Sequence, residues 1–309
     1  MDSVSRLLAQ AQPSASIDTR CLLPPGARVF NDSAASDIAR FHLVIEGRCK
    51  VHLADRVVEM REGDFLLLPR GQQHEVRISG DDTASDPGPI SLDAGQAVTR
   101  ATVTGASPAI DLFCGHYSFR VGAGRLFLAS IPDPLHVNLM ESSKDEVIHL
   151  TALLRSIVDN GELGASVMLD SLAQVLLVLA LQASSSDGAC SLLNVSDPAV
   201  RTAIEAVVAK PAENWTVERL AEACHVSRAT LVRRFRRDTG NTIAAFVTWV
   251  RVMHAADLLR TSGRSVASVS EIVGYSSPSA FSRAFQSMIG SPPGRFARDS
   301  AGITSEADH

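Results

Sequence analysis

The chain has 309 residues, of which 45% are hydrophobic and 20% charged, and carries a net charge of −5. That balance suits a soluble globular protein, and the length favours two domains over a single core. Five cysteines (Cys21, Cys49, Cys114, Cys190 and Cys224) are an odd number at wide spacings, which argues against a secreted disulfide framework and predicts thiols.

The net charge hides an asymmetry. Residues 1–196 hold 15 Lys+Arg against 23 Asp+Glu, whereas residues 197–298 hold 14 against 8, and 299–309 add three acids. A basic block on an acidic chain points to an anionic partner for that block, nucleic acid first, although a solvated face gives the same count. The longest apolar run, VLLVLALQA (175–183), falls short of the roughly 18 residues a membrane helix needs, so no membrane association is expected. The opening MDSVSRLLAQAQPS lacks a charged-then-apolar leader pattern, which predicts a cytoplasmic protein.

In chain order, residues 1–20 read as a short helix on Val4, Leu7 and Leu8 followed by a loop. Strands follow from 21 to about 78: RFHLVIEGRCKVHL, VVEM and GDFLLLPRGQQHEVRI, punctuated by turns at EGR, ADR and REGD. Within GDFLLLPRGQQHEV (63–76), Gly63, Pro69, Gly71 and His74 stand at a spacing that recurs in small β-barrels that hold a metal, many of them enzymes. Residues 79–109, rich in Gly, Pro, Asp, Ser and Thr, read as a long mobile insertion between strands. Strands resume at AIDLFCGHYSFR (109–120), closing a barrel over about 20–120.

The period then becomes helical over 143–160 and 165–183. The second helix is apolar on a broad face (Val167, Leu169, Leu172, Val175, Leu176, Leu179), which fits either a helix–helix dimer interface or a cover for the barrel. The stretch 185–196 reads as a linker after a first domain of 1–184. Everything from 197 to 298 reads as helix, starting from an Asp197 N-cap with Pro198 at the first helical position, and 299–309 as a tail.

Inside that block two segments share one layout. TVERLAEACHVS (216–227) leads into RATLVRRF (228–235), and SVASVSEIVGYS (265–276) leads into SPSAFSRAF (277–285). Each is a short helix, a tight turn and a second helix, the pattern in which the second helix enters the major groove. Leu231 and Phe235, and likewise Phe281 and Phe285, fall at i, i+4 and point inward. Arg228, Ala229, Val232, Arg233 and Arg236 are left outward on one helix, and Pro278, Ser279, Ser282 and Arg283 on the other. Arg233 and Arg283 sit where a guanidinium spans guanine O6 and N7, while Arg228, Arg234, Arg236 and Arg237 read as phosphate contacts. For any single arginine a solvated face explains as much; for the pair of motifs it does not.

On the strength of SVASVSEIVGYSSPSAFSRAFQSMIGSPPGRFAR, residues 197–298 resemble the DNA-binding domain of the AraC/XylS-type transcription regulators. The resemblance implies seven helices, two helix-turn-helix units joined by a rigid helix near 242–260, and base-reading positions at Ala229, Val232, Arg233, Ser279, Ser282 and Arg283. The N-terminal half resembles the cupin-like sensor domains of the same regulators. The fold class expected is therefore α+β with two domains, a cupin-like β-barrel with accessory helices and an all-α double helix-turn-helix. Metal-enzyme cupins carry a His-x-His pair and a Glu ahead of the glycine turn. Here only His42 precedes Glu46-Gly47, so an enzyme is not expected.

His74 alternates with Val76 and Ile78, and Cys114 with Ile110 and Leu112, so both are expected to face the barrel interior; His42 starts a strand and Cys21 precedes LLPPG at the barrel mouth. Cys21, His42, His74 and Cys114 would suit tetrahedral zinc, or Cys114 and His74 are ordinary core residues. MDSVSRLL, IDTRC, FH, LLLPRGQQH and FCG further resemble the RclR-like regulators that respond to reactive chlorine species. That resemblance implies that Cys21 and Cys114 are redox-active and join as a disulfide. A regulator responding to a small organic ligand in the barrel is the alternative. The expected partners are double-stranded DNA, a second copy in a homodimer, and RNA polymerase.

Overall fold

The computed structural model describes residues 3–35, 37–80, 87–95, 97–119, 122–161, 163–184, 195 and 197–306. The strands are β1 (Ser14–Leu23), β2 (Arg28–Asn31), β3 (Ile38–Glu46), β4 (Arg48–His52), β5 (Val57–Arg61), β6 (Asp64–Leu68), β7 (His74–Ile78), β8 (Ser91–Ala94), β9 (Thr99–Thr102), β10 (Ile110–Ser118) and β11 (Leu135–Asn138). The helices are α1 (Ser3–Ala11), α2 (Ala123–Ala129), α3 (Leu139–Ser142), α4 (Lys144–Asn160), α5 (Ala165–Ala183), α6 (Pro198–Ala209), α7 (Val217–Ala223), α8 (Arg228–Thr239), α9 (Ile243–Thr261), α10 (Val266–Ile272), α11 (Pro278–Ile289) and α12 (Pro293–Glu306). The fold is α+β in two compact units. One takes the described residues of 13–119 and 131–189, the other those of 1–12, 120–130 and 190–309.

The first unit is a two-sheet barrel. A seven-stranded sheet runs β11-β6-β3-β10-β1-β9-β8, and a four-stranded sheet runs β2-β7-β4-β5. Strand β3 shows why both faces of the larger sheet are buried. Ala39, Phe41 and Leu43 leave one face, where Phe41 stacks on Phe65 (5.5 Å) and tilts against Tyr117 (4.9 Å). Helix α5 covers that face, and the Tyr117 hydroxyl donates to the Ala173 carbonyl at 2.7 Å. Val44, Leu66 and Leu68 on its opposite face, with Val51, Met60 and Val76 of the smaller sheet, fill the space between the sheets.

Three departures from the sequence reading have physical causes. Residues 14–20 are not a loop: β1 begins at Ser14 and pairs antiparallel with β10, so Cys21 lies inside a strand. Its alternation was hidden because Arg20 is buried by ion pairing. The segment 79–109 is not wholly irregular, because β8 and β9 form a hairpin and β9 adds to β1 as a parallel strand with Cys21 opposite Ala101. The β-branched residues that build it are diluted by Gly, Pro and Asp; residues 81–86 and 96 lie outside the described set. Helix α5 has 19 residues with a mean hydropathy of 1.7, long and apolar enough by length and composition to cross a membrane, although polar residues interrupt the unbroken apolar run.

The second unit is helical. Helices α1 and α2 group with it by their contacts, and α12 runs to Glu306. Gly122 explains why α2 fits closely: a Cβ there would sit 2.8 Å from the Phe296 ring and 3.0 Å from Ala256. Most of the proposed linker 185–196, together with Cys190, lies outside the described residues.

The two helix-turn-helix turns solve one problem with different residues. In both, the first residue after the brace helix's cap takes positive φ: His225 at 53° and Gly274 at 85°. The next amides close the turns equivalently, Val226 N–H to the Ala221 carbonyl and Tyr275 N–H to the Ser270 carbonyl, each 3.0 Å. A Cβ at Gly274 would come within 2.4 Å of the Ala212 carbonyl oxygen, whereas His225 is exposed and tolerates the left-handed region. Gly274→Ala is therefore expected to destabilise the helical unit by about 2 kcal/mol or more, and His225→Gly to change it by no more than about 0.5 kcal/mol. The chain's two tryptophans, Trp215 and Trp249, both lie in this unit, so urea unfolding followed by tryptophan fluorescence reads the difference directly.

Candidate DNA-reading face and sensor core

The reading helices are fixed at both ends by local chemistry. Ser227 accepts from Thr230 N–H to cap α8, and Ser277 accepts from Ala280 N–H to cap α11, with Pro278 at its first turn. Gly240 (φ 68°) and Gly290 (φ 87°) end them in the left-handed conformation. Leu231, Phe235, Phe281 and Phe285 are fully buried or nearly so, which sets each helix's rotation. Phe235 packs on Phe246 of α9 (5.6 Å), and Phe285 on Phe296 (5.4 Å).

That rotation places Arg228, Ala229, Val232, Arg233, Ser279 and Arg283 on the exposed face and Ser282 at its edge. Val232 is 46% exposed, a large apolar side chain held in water on a basic helix. The arginines divide. Asp197, which caps α6 through Ala199 N–H and Val200 N–H, also takes Arg234 at 3.1 Å and Arg237 at 3.7 Å. Arg228 pairs with the exposed Glu218 at 2.6 Å. Arg233, Arg236 and Arg283 have no carboxylate oxygen within 4.0 Å among the described residues. Arg234 and Arg237, expected from sequence as phosphate contacts, thus have an internal partner. Arg251 is structural as well, lying over the Tyr275 ring and donating to the Pro211 and Glu213 carbonyls.

The barrel brings the four sequence-predicted sensor residues into a row. Strands β3 and β10 pair with His42 opposite Cys114, and His42 Nδ1 lies 3.1 Å from the Cys114 sulfur. His42 Nε2 reaches across to the second sheet, 2.7 Å from His74 Nε2. His74 Nδ1 faces the Gln72 carbonyl at 2.9 Å. Since a carbonyl only accepts, His74 carries its proton on Nδ1 and accepts at Nε2. His42 must then donate from Nε2 and accept at Nδ1, so the Cys114 thiol donates to it. Cys21, opposite Leu112 on the neighbouring strand, lies diagonal to Cys114 across the β1–β10 pair.

His42, His74 and Cys114 are each pushed toward the neutral form. Burial, then the charges of His74 and Arg40, lower the His42 pKa to about 3. Burial also lowers His74, partly opposed by the Gln72 carbonyl. The Cys21 thiol, followed by burial, raises the Cys114 thiol well above its ordinary value. Cys49, deeper in the same core, is pushed up to about 12 by burial. Cys21, Cys49, Cys114 and Cys224 are free thiols.

The arrangement does not suit the expected zinc cage. Among the described residues no three His, Cys, Asp or Glu side chains are grouped to hold a metal ion. His42 turns one ring nitrogen to Cys114 and the other to His74, so the four donors form a line and do not surround a point. One further residue of this region escaped the sequence reading. Arg40 shares the inward face of β3 with His42, a position that strand alternation alone would have flagged.

Residues 2–185 match the cupin family and residues 220–299 a helix-turn-helix domain family. The chain is 30% identical over 268 residues to a putative AraC-like transcription regulator of Streptomyces lividans, covering 85% of this chain and 87% of that one. It is 29% identical to an uncharacterized HTH-type transcriptional regulator of Haemophilus influenzae over 96% of this chain and 98% of that one. It is 26% identical to the RCS-specific HTH-type transcriptional activator RclR of Escherichia coli over 96% and 97% of the two chains.

In the unfolded chain His42 and His74 titrate near 6.5, but in the fold both are held below that value, so acid favours the unfolded state. The stability of the barrel is therefore expected to be full above about pH 7 and to fall as pH drops through 6.5, by up to about 1.4 kcal/mol per pH unit for each histidine. Amide exchange of β3 and β10 between pH 7 and pH 5, corrected for intrinsic rates, measures this, and His42→Gln should flatten the slope. With a helix-turn-helix pair whose reading faces are exposed and a cupin barrel enclosing a thiol–imidazole row, the chain belongs to the AraC-type DNA-binding transcription regulators with an N-terminal cupin domain.

Proposed function

We propose that the cupin unit is an oxidant sensor working through Cys21 and Cys114, and that the helical unit reads promoter DNA with Arg233 and Arg283. The observation that carries the sensor reading is the placement of two inward-facing thiols on adjacent paired strands, with His42 Nδ1 3.1 Å from the Cys114 sulfur and positioned to take its proton. The name of the Escherichia coli relative, specific for reactive chlorine species, points the same way for that protein. With hypochlorous acid, the Cys114 sulfur attacks chlorine; an S–Cl bond forms, the Cl–O bond breaks and oxygen leaves as water after gaining the thiol proton. The Cys21 sulfur then attacks Cys114; an S–S bond forms, chloride leaves and the Cys21 proton passes to solvent. Zinc takes no part in this scheme. An apolar interior filled by Val44, Val51, Met60, Leu66 and Leu68 favours it over an organic effector deep in the barrel.

The protein acts as a regulator and not as a catalyst, in the cytoplasm, as a homodimer, with RNA polymerase as the further partner at a promoter. The dimer seat is α5, where Val167 and Val175 are 70% and 47% exposed. On the DNA side, Ala229 and Val232 favour thymine methyl groups, while Arg233 and Arg283 read guanine.

Two measurements test the pair of claims. Arg233→Ala and Arg283→Ala should each weaken specific operator binding by about 1–3 kcal/mol and relax sequence preference, whereas Arg236→Ala should weaken all sequences alike and lower the salt dependence. For the sensor, mass spectrometry after hypochlorous acid treatment should show a Cys21–Cys114 link, and Cys21→Ser should abolish the change in DNA binding. Absence of the link, with an unaltered response in Cys21→Ser, would return the barrel to an organic effector.

A further inference from the structure

Arg40 sits two residues before His42 on β3, so its side chain leaves the strand toward the space between the sheets, about 7 Å along from the thiol–imidazole row. Its register partner on β10 is His116, whose side chain is 32% exposed and marks the open end of the barrel. Arg40 Nη1 donates to Asn31 Oδ1 at a long 3.4 Å; Asn31 in turn pairs with His74 in the opposite sheet. The guanidinium therefore spans the mouth from one sheet to the other. Its Nε is buried and has no hydrogen-bond partner. No carboxylate oxygen lies within 4.0 Å of it among the described residues, and Asp18 on β1 pairs with His116 at 2.7 Å. A permanent positive charge, partly buried, short of acceptors and open to solvent on one side, calls for an anion.

We propose that Arg40 is the docking residue for a small monovalent oxyanion at the barrel mouth, held next to Cys114. The proposal rests on the oxidant reading where that anion is hypochlorite; a carboxylate of a small organic effector presents the same chemistry. Arg40 offers Nε and one Nη to two oxygens, or to one oxygen and a bridging water. Bound hypochlorite then lies one strand step from Cys114; it takes a proton from solvent, and the sulfur attacks its chlorine, the S–Cl bond forming as the Cl–O bond breaks and the oxygen leaves as water with the thiol proton. Arg40 touches the incoming group and takes no proton.

The test uses the full chain and two non-oxidising probes, nitrate and formate, titrated into wild type, Arg40→Gln and Arg40→Lys. The readout is the imidazole carbon-bound proton resonances of His42, His74 and His116. Saturable shifts are expected in wild type, weaker ones in Arg40→Lys, and a loss of affinity of at least about tenfold in Arg40→Gln. In parallel, the rate of Cys114 oxidation by hypochlorite should fall at least about tenfold in Arg40→Gln, while the rate with diamide, an uncharged thiol oxidant, should stay within about twofold. A longer carboxylate that binds more than tenfold tighter than formate and alters DNA binding without consuming thiols would identify an organic ligand as the occupant of the same site. Should wild type form no Cys21–Cys114 link, the oxidant reading falls and the titration alone still decides the role of Arg40. Wild-type titration curves in Arg40→Gln, with an unchanged ratio of hypochlorite to diamide rates, would overturn the proposal. If Arg40→Gln fails to fold, Arg40→Lys carries the test: titrations matching wild type in affinity and stoichiometry would speak against a forked guanidinium contact.

Discussion

A single carboxylate, Asp111, decides which residue stands beside Cys114. Its two oxygens accept from Arg20 Nε and Nη2 at 2.9 and 2.8 Å, and Arg155 of α4 adds a third bond at 2.7 Å. Arg20 and Asp111 are both close to fully buried, and Arg20 lies over the Phe113 ring at 5.4 Å. Burial alone would lower the arginine's pKa, yet Asp111 and Asp159 outweigh it and the pKa is raised. Adjacent residues of a strand face opposite ways, so this clamp on the outer face of β1 dictates that Cys21 faces inward. A slip of one residue between β1 and β10 would turn Arg20 into the apolar interior and carry Cys21 away from Cys114, and the bidentate pair forbids it. The placing of Cys21 beside Cys114 therefore depends on an ion pair that contains none of the residues of the row.

That dependence also marks where reading the sequence succeeded and where it stopped. The double helix-turn-helix was legible because its information is local: a capping hydroxyl, apolar residues at i and i+4, and a closing glycine recur within each motif, and Ser227, Ser277, Gly240 and Gly290 act as their spacing predicts. The inward facing of His74 and Cys114 was legible for the same reason, through period-two alternation. The pairings that give those residues meaning are long-range. Nothing local announces that Arg20 is buried, that β9 lies parallel to β1, or that α1 and α2 belong with helices a hundred residues or more away. That His42, His74 and Cys114 face one interior was legible, but their order was not, because a tetrahedral cage and a line of donors ask for the same residue types. Only the direction of the two His42 nitrogens separates them.

The basic block illustrates a related limit of composition. Helix α8 carries five arginines in ten residues, and from sequence all five read as DNA contacts of one kind or another. Asp197 removes that uniformity. By capping α6 and pairing with Arg234 and Arg237, one acid joins the start of the domain to the reading helix. The arginines left without a carboxylate, Arg233 and Arg236 on α8 with Arg283 on α11, stand on exposed faces. An excess of positive charge thus divides into cations that hold the domain together and cations free to meet phosphate or base, and the division rests on a few ångströms of side-chain placement.

The thiol–imidazole row has a resting state opposite to that of a typical reactive cysteine. Activated thiols sit beside cations that hold them as thiolates. Here burial and hydrogen bonding keep Cys114 protonated and His42 neutral, so the buried charge that a thiolate–imidazolium pair would create is avoided. Under the proposed reading, that neutrality is a filter. Weak electrophiles that require a standing thiolate meet a protonated sulfur, whereas an oxidant reactive enough to be attacked as the proton leaves finds His42 already aligned to receive it. His42 hands the proton it takes at Nδ1 on to the departing oxygen, which leaves as water, while the Gln72 carbonyl holds His74 in the tautomer that keeps the row aligned. Selectivity in such a site comes from the cost of separating charge inside an apolar barrel, and the alternation that buries Val44, Leu66 and Val76 around the row is what sets that cost.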